Sequence, residues 1–301
     1  MPTESMDSDR SASATGKSTQ RDMEQQETAS PVQMDSDHKP ANLAAWESIS
    51  GFWDETLGEG NDMFLQLLLP AVEELASVRP GQKVLDIGTG NGIVARRLAR
   101  EGVEVLATDY SAAQIENARR RTEKTNKSIN FELLDLTDLA ALDDFAKQHT
   151  EEFDVITASM LLKELSDIKP LAEFLPKILK PTGRVVMANL HPCFHKPGAH
   201  RVMEVVENAE TGVQEYQTSI KVSKYLNVGL VQSQALRGQP EPLVWFHRPI
   251  HELLNPFFEA GLCLNKVLEP SFQDGEDKSQ IQSYHNFPQI PMQFIFRLCR
   301  C

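Results

Sequence analysis

The sequence predicts an α/β fold, a mainly parallel β-sheet wound on both faces by helices. Two observations predict it. From residue 83 onward, short apolar runs alternate with helical patterns, and strands joined by helical crossovers make right-handed parallel units. The first run, 83–87, leads straight into Gly88, Gly90 and Gly92. At such a junction the chain turns sharply and helix amides point at a ligand.

The elements follow in order. Residues 40–80 read as helical and carry Trp46, Phe52 and Trp53, then an apolar stretch at 63–69, until Pro80-Gly81 breaks the pattern. Strands are expected at 83–87, 103–107, 129–134, 153–158 and 184–189, with helices at 92–101, 111–124, 138–148 and 167–180 between them. After the fifth strand the rhythm changes. Residues 190–246 hold His191-Pro-Cys-Phe194, a hairpin pattern (202–206 against 213–220) and a Gly/Gln/Pro-rich stretch, which together read as an insertion rather than a second domain. A helix at 250–260 stopped by Gly261 and two last strands at 263–268 and 292–298 finish the pattern. No internal repeat interrupts it.

Composition narrows the class. The 301 residues are 41% hydrophobic, enough for one large core. A formal net charge of -13 argues against a surface that tracks nucleic acid, because such surfaces carry basic stripes. No apolar run approaches the roughly 18 residues of a membrane helix, and no basic-then-apolar leader is present. Cys193, Cys263, Cys299 and Cys301 have neither CxxC nor zinc spacing. No metal site is expected, and reduced thiols in a cytoplasmic protein are the expectation. Residues 1–39 are polar and lack apolar periodicity, so they read as a disordered tail, either a solvated extension or a regulatory segment.

The glycine loop says which ligand. A dinucleotide fingerprint places glycines at relative positions 1, 3 and 6. Here they fall at 1, 3 and 5, with Ile93 at the sixth, and Asp86 just ahead would sit badly beside a pyrophosphate. An acid there suits a ligand with an amino group and a sulfonium, which is the chemistry of S-adenosylmethionine (SAM). The next apolar run ends at Asp109, placed to take two ribose hydroxyls. With these motifs in order, the chain resembles the class I SAM-dependent methyltransferases of small-molecule type. Asp86-Ile-Gly-Thr-Gly-Asn-Gly92 matches their first motif, Thr108-Asp-Tyr-Ser111 resembles the ribose loop, and Phe131-Glu-Leu-Leu-Asp-Leu136 resembles the adenine-side segment. Phe153-Asp-Val-Ile-Thr-Ala-Ser159 and Leu179-Lys-Pro-Thr-Gly183 resemble strand four and the turn into strand five. The resemblance implies a Rossmann-like doubly wound sheet of seven strands with the last antiparallel, a methyltransferase domain over 40–301, a helical lid at 40–80 and a substrate cap at 190–246. It also implies a small-molecule acceptor with an O or N nucleophile, no nucleic-acid or membrane partner, and a monomer or homodimer.

The resemblance also implies a cofactor site of Asp86, Gly88, Thr89, Gly90, Asn91, Gly92, Asp109, Tyr110, Asp135, Leu136, Ser159 and Met160. An N-capping role competes at Asp135 and Asp138, and Tyr110 competes with a plain surface tyrosine. The segment Ala158-Ser-Met-Leu161 lacks the Asn/Asp-Pro-Pro-aromatic pattern with which amino-methylating nucleic-acid enzymes hold a flipped base. For the acceptor, His191 and His247 are the candidate general bases, since a histidine near neutrality suits proton removal. His195 and His251 are further, secondary candidates for the same roles. Arg248 is placed to clamp a carboxylate, and Trp46 and Trp53 to close over the ligands. Their competing readings are loop hydrogen bonds, a structural ion pair and core packing. The rival functions are a protein methyltransferase, a SAM-using enzyme of another reaction, and a non-catalytic subunit.

Overall fold

A computed structural model describes residues 38–123, 129–273, 275, 280 and 283–301. The tail expected over 1–39 lies outside them except for its last two positions, which open helix α1 (His38–Leu57). A widened, π-type turn at Met63–Leu68 runs into α2 (Leu69–Ala76), with the Leu69 amide donating to the Phe64 carbonyl five residues back. Pro70, which has no amide hydrogen to give, sits at the start of α2.

From there the alternation holds: β1 (Lys83–Ile87), α3 (Ile93–Ala99), β2 (Glu104–Asp109), α4 (Ala112–Glu123), β3 (Ile129–Leu133), α5 (Leu139–Gln148), β4 (Phe153–Ser159), α6 (Lys169–Ile178) and β5 (Leu179–Leu190). The insertion contributes β6 (Ala199–Glu207), β7 (Gln214–Val222), β8 (Leu230–Ser233) and β9 (Leu243–Phe246). Then come α7 (Ile250–Glu259), β10 (Leu262–Leu268) and β11 (Gln293–Arg300). The main sheet has seven strands in the order β10-β11-β5-β4-β1-β2-β3. Strand β11 runs antiparallel to both neighbours, and the β1, β2, β3, β4 and β5 pairings are parallel. The order reverses beside β1, so β1 and β4 carry ligand-binding loops at a topological switch point.

Both faces of the sheet are covered. One cluster packs Leu85, Ile156, Val185 and Phe296 against α5, α6 and α7, and the other packs Val84, Val105, Val155 and Val186 against α2, α3 and α4. Burial on both sides is what a parallel sheet needs. The insertion forms two small hairpins, β6–β7 and β8–β9. The first matches the hairpin pattern in the sequence. The second pair is only four residues a strand and is interrupted by the Gly/Gln/Pro stretch that hid it.

Helix α1 and β9 meet. The Asn42 amide donates to the Val244 carbonyl and accepts from its amide, both at 3.0 Å, as a strand neighbour would. Ala45, Ile49 and Leu243 fill the space between them, with Trp46, Trp53 and Trp245 around it. One expectation fails at the far edge of the sheet, where Cys263 and Cys301 form a disulfide. Their spacing in sequence gave no sign of it, because β10 and β11 pair antiparallel and bring the two ends together. Cys193 and Cys299 are free thiols.

Candidate active site

One cavity of about 690 Å³ opens at the carboxyl ends of β1, β2 and β4 and runs under α1 to the insertion. Its floor is the glycine loop. Gly88, Gly90 and Gly92 all take positive φ, and a Cβ built on Gly90 would meet no protein atom within 4 Å. At Gly92 the same Cβ would meet Arg96 at 3.0 Å and Ala118 at 3.2 Å, so that glycine serves the packing of α3 on α4. The Gly90 amide donates to Asp109 Oδ2 at 2.9 Å, and the Ser111 amide to Oδ1 at 3.0 Å. The acid after β2 is thereby locked to the loop after β1.

Asp86 is enclosed too. Thr89 Oγ1 and Thr157 Oγ1 each donate to it at 2.7 Å. Burial pushes the Asp86 carboxyl up to about 6, against the pull of those hydroxyls. Burial likewise raises Asp109 to about 6, against the backbone donors of Ser111 and Gly90. Two buried carboxyls with raised pKa face one cavity, and donors or positive charge arriving there favour their ionised forms.

The remaining expected cofactor residues line the same space: Thr89, Asn91, Tyr110, Asp135, Leu136, Ser159 and Met160. Asn91 lends its side-chain amide to Asp54 and to the Gly58 carbonyl, tying the loop to the end of α1. Met160 adopts φ 59, an uncommon left-handed backbone for a side chain with Cβ, held by its amide's bond to the Ala188 carbonyl. Asp135 accepts from the Thr137 amide and hydroxyl, and the helix cap competing with it falls to Asp138, which caps α5 through the Ala140 and Ala141 amides. Trp46 and Trp53 line the cavity with ring centroids 5.1 Å apart, and Trp46 Nε1 donates to Glu164 at 2.6 Å.

Three of the residues expected at the acceptor lie outside the lining of this cavity. His191 lies outside the cavity wall: it is buried, its Nε2 pairs with Glu269 at 2.8 Å, and its Nδ1 accepts from the Cys193 amide. His247 also lies outside, bonded to the Tyr225 carbonyl at 2.8 Å. Burial lowers the pKa of both. Arg248 spends its guanidinium on the carbonyls of Leu162, Leu165 and Ser166, and burial lowers its pKa to about 10. The turn after β4 would otherwise leave those carbonyls unsatisfied, so the arginine is a staple for the cavity wall. His251 is exposed beside Glu252 on α7.

Other polar residues line that part of the cavity. Lys163 lies over the Trp245 ring at 4.1 Å and pairs with Glu164 at 2.9 Å. His195, Arg201, Tyr284 and His285 complete the insertion side. His195 was a secondary candidate from the sequence; the signal of the other three was weak, since they sit on a turn and a hairpin edge without periodicity. Four buried polar atoms of the lining have no hydrogen-bond partner among the described residues: Trp53 Nε1, Ser159 Oγ, His195 Nδ1 and Trp245 Nε1. Orphans gathered on one cavity mark a ligand site. With a glycine loop that leaves room above Gly90 and two carboxyls facing it, these residues fit SAM.

Comparison with known proteins agrees. The family model described as "Methyltransferase domain" matches residues 79–236, just over half of the chain. A ubiquinone biosynthesis O-methyltransferase of Actinobacillus pleuropneumoniae serotype 5b is 27% identical over 196 residues, 62% of this chain and 80% of the relative. One from Vibrio atlanticus is 25% identical over 210 residues, 66% of this chain and 84% of that protein. The crystal structure of a SAM-dependent methyltransferase from Mesorhizobium loti shares the fold at TM-score 0.57 and 23% identity, over 77% of this chain and 96% of that one. A Listeria monocytogenes structure described as a putative SAM-dependent methyltransferase does so at 0.56 and 22%, over 77% and 98%. The loop, the two acids and the strand order meet in one conclusion: the chain belongs to the methyltransferase domain family and is a class I SAM-dependent methyltransferase.

Proposed function

We propose that this enzyme methylates an oxygen atom of a small molecule held between the glycine loop and the insertion. The observation that carries the reading is the continuity of the cavity, from Gly90 and Asp109 to Trp245 and Tyr284 under the roof of α1. Its volume of about 690 Å³ falls in the small-molecule range of roughly 300–1,000 Å³. The relatives at 25–27% identity are O-methyltransferases by name, which supports oxygen as the nucleophile.

In this reading Asp86, Gly88, Thr89, Gly90 and Asn91 hold the amino-acid end of SAM, and Gly92 lets the loop turn into α3. Asp109 takes the ribose hydroxyls, and Tyr110, Asp135 and Leu136 border the adenine. Ser159 and Met160 sit where cofactor and acceptor meet. Bound SAM supplies a methyl group on a sulfonium, already activated for displacement, so the protein's work is alignment and exclusion of water. Trp46 and Trp53 on the lid (40–80) and Trp245 on the cap (190–246) do the excluding, and the acidic exterior disfavours a nucleic-acid acceptor.

Calorimetric titration with SAM tests the cofactor half. The wild type should bind at micromolar Kd, and Asp109→Ala should weaken binding at least about tenfold, about 1.4 kcal/mol. Release of S-adenosylhomocysteine with small hydroxylated acceptors then tests the rest. A folded wild type that binds no SAM would remove this reading.

A further inference from the structure

Exposed apolar side chains gather on the insertion. Val205, Val206, Val213, Tyr216, Val222 and Leu226 are all exposed, Tyr216 at 67%, and the first five belong to the β6–β7 hairpin or its turn. Several large apolar groups kept together in water mark an interaction surface. Strands β6 and β7 pair with each other from end to end and, among the described residues, with no other strand. A lone two-stranded hairpin is marginal in water, and each of its long edges is a template for a further strand.

The ladder fixes what each edge offers. The Asn208 amide donates to the Val213 carbonyl, and the Ser223 amide donates to the Gly198 carbonyl. In an antiparallel pair, bonded positions alternate with unbonded ones, so positions 215, 217, 219 and 221 turn their backbone groups toward β6. The amides and carbonyls of Gln214, Tyr216, Thr218, Ile220 and Val222 point outward, and they meet no partner among the described residues. Side chains alternate too. Tyr216 and Thr218 share one face of the hairpin with Val205 and Met203, the residues opposite them on β6.

We propose that the outer edge of β7 pairs with the same edge of a second copy of this chain, across a two-fold axis at Thr218. Thr218 is the middle of Gln214–Val222, so this register uses the whole edge. It sets 214 against 222, 216 against 220 and 218 against 218, all positions whose backbone groups point outward. Each such pair exchanges two hydrogen bonds. Tyr216 meets Ile220 of the second copy, an aromatic against a β-branched residue, and Thr218 meets Thr218; both pairings are favourable across strands. Lys221 falls at the register position of Glu215, a base facing an acid in the sequence. Strand β6 is the poorer edge. Its own full-length pairing, about Met203, sets Arg201 against Val205 and Glu204 against Val202, so no charge is matched. The two-fold operation closes on itself, and the edges left outside are those of β6, so assembly stops at the dimer. Arg201 on β6 stands over the Tyr284 ring at 4.5 Å, on the cavity wall, so the pairing that completes the arm also steadies that wall. The edge spans 9 residues, about 30 Å at about 3.4 Å each. That is the small end of specific interfaces, so the dimer dissociates on dilution into the micromolar range.

Sedimentation velocity of the full chain, from low micromolar to a few hundred micromolar, tests this. The mass should rise from 33.7 kDa to twice that value and no further. Thr218→Pro removes an amide that bonds to nothing in the single chain, and proline is tolerated where an edge amide faces solvent. The hairpin should keep its ladder while the dimer weakens at least about tenfold. Val205→Pro makes the same change on the outer edge of β6 and should leave the dimer within about twofold of the wild type. Lys221→Glu sets acid against acid and should weaken the dimer several-fold. Hydrogen exchange read residue by residue should show the Tyr216, Thr218, Ile220 and Val222 amides gaining protection with concentration, while Gln217, Ser219 and Lys221 change little. A chain that stays monomeric at the highest concentration would overturn the proposal. So would a Thr218→Pro dimer as tight as the wild type, an equal loss in Val205→Pro, or growth past the dimer. None of these readouts uses SAM or an acceptor, so they stand apart from the methyl-transfer reading.

Discussion

Asp86 shows how a residue can cost stability for the sake of a ligand. Its folded pKa of about 6 lies above the ordinary value of 3.8. A carboxyl raised in this way contributes stability that is full below pH 3.8 and lost as the pH rises through about 6. At pH 8 the ionised group is therefore a burden of roughly 1–3 kcal/mol on the ligand-free fold. Asp86→Asn removes the charge, and the hydroxyls of Thr89 and Thr157 rotate to suit the amide. The variant should melt several degrees higher than the wild type at pH 8 without SAM, lose that advantage at pH 4, and bind SAM at least about tenfold more weakly. Thermal melts at the two pH values, with and without SAM, check the sign. In the wild type SAM should bind more tightly as the pH rises through about 6, since Asp109 titrates there as well.

At the level of elements, the roof is held to the sheet by charge. Asp54, near the end of α1, accepts from Arg120 and Arg121 of α4, and Arg121 also reaches the Asp54 carbonyl. Burial pushes the Asp54 carboxyl up, but the hydrogen bonds of Arg121, Arg120 and Asn91 outweigh it and leave its pKa below the ordinary value. On the other side of the cavity Arg248 performs the same service for the turn after β4. Arg248→Met keeps the bulk and orphans the Leu162, Leu165 and Ser166 carbonyls. It should cost about 2–4 kcal/mol, and KM for the acceptor should rise more than the Kd for SAM. Denaturant melts and a calorimetric titration separate the two effects. The β10–β11 edge carries the disulfide, whose loop of 38 residues in sequence separation is worth roughly 3–4 kcal/mol by chain entropy. Cys301→Ser should lower Tm by about 5–10 °C and leave SAM binding unchanged.

Across the whole molecule, legibility followed locality. The strand, the glycines and Asp86 lie within ten residues of one another and need only the turn geometry of a βα junction, so the sequence displays them. Asp109 is legible because β2 pairs with β1 in register, Ile87 beside Thr108. The antiparallel position of β11 came from the family resemblance and not from its own pattern. The surroundings of His191, His247 and Arg248 were not legible for one reason: a polar residue among aromatics looks the same whether it faces a cavity or satisfies backbone carbonyls behind the wall. Only the fold separates His195 from His191, four residues apart. The disulfide and the β8–β9 pair depend on contacts between distant segments, which no local pattern carries.

The bond between Asn42 and Val244 spans 202 residues. At a synthesis rate of about 5–20 residues per second, helix α1 waits roughly 10–40 s for the strand that completes its contacts. Residues 83–159, with the whole glycine loop and both acids, emerge within that interval. Trp46 and Trp53 therefore lack Leu243 and Trp245 while the cofactor floor is already being laid. Only the β9 side of the roof must wait, and a nascent chain stalled before residue 244 should leave Trp46 and Trp53 more open to quenchers than the finished enzyme does.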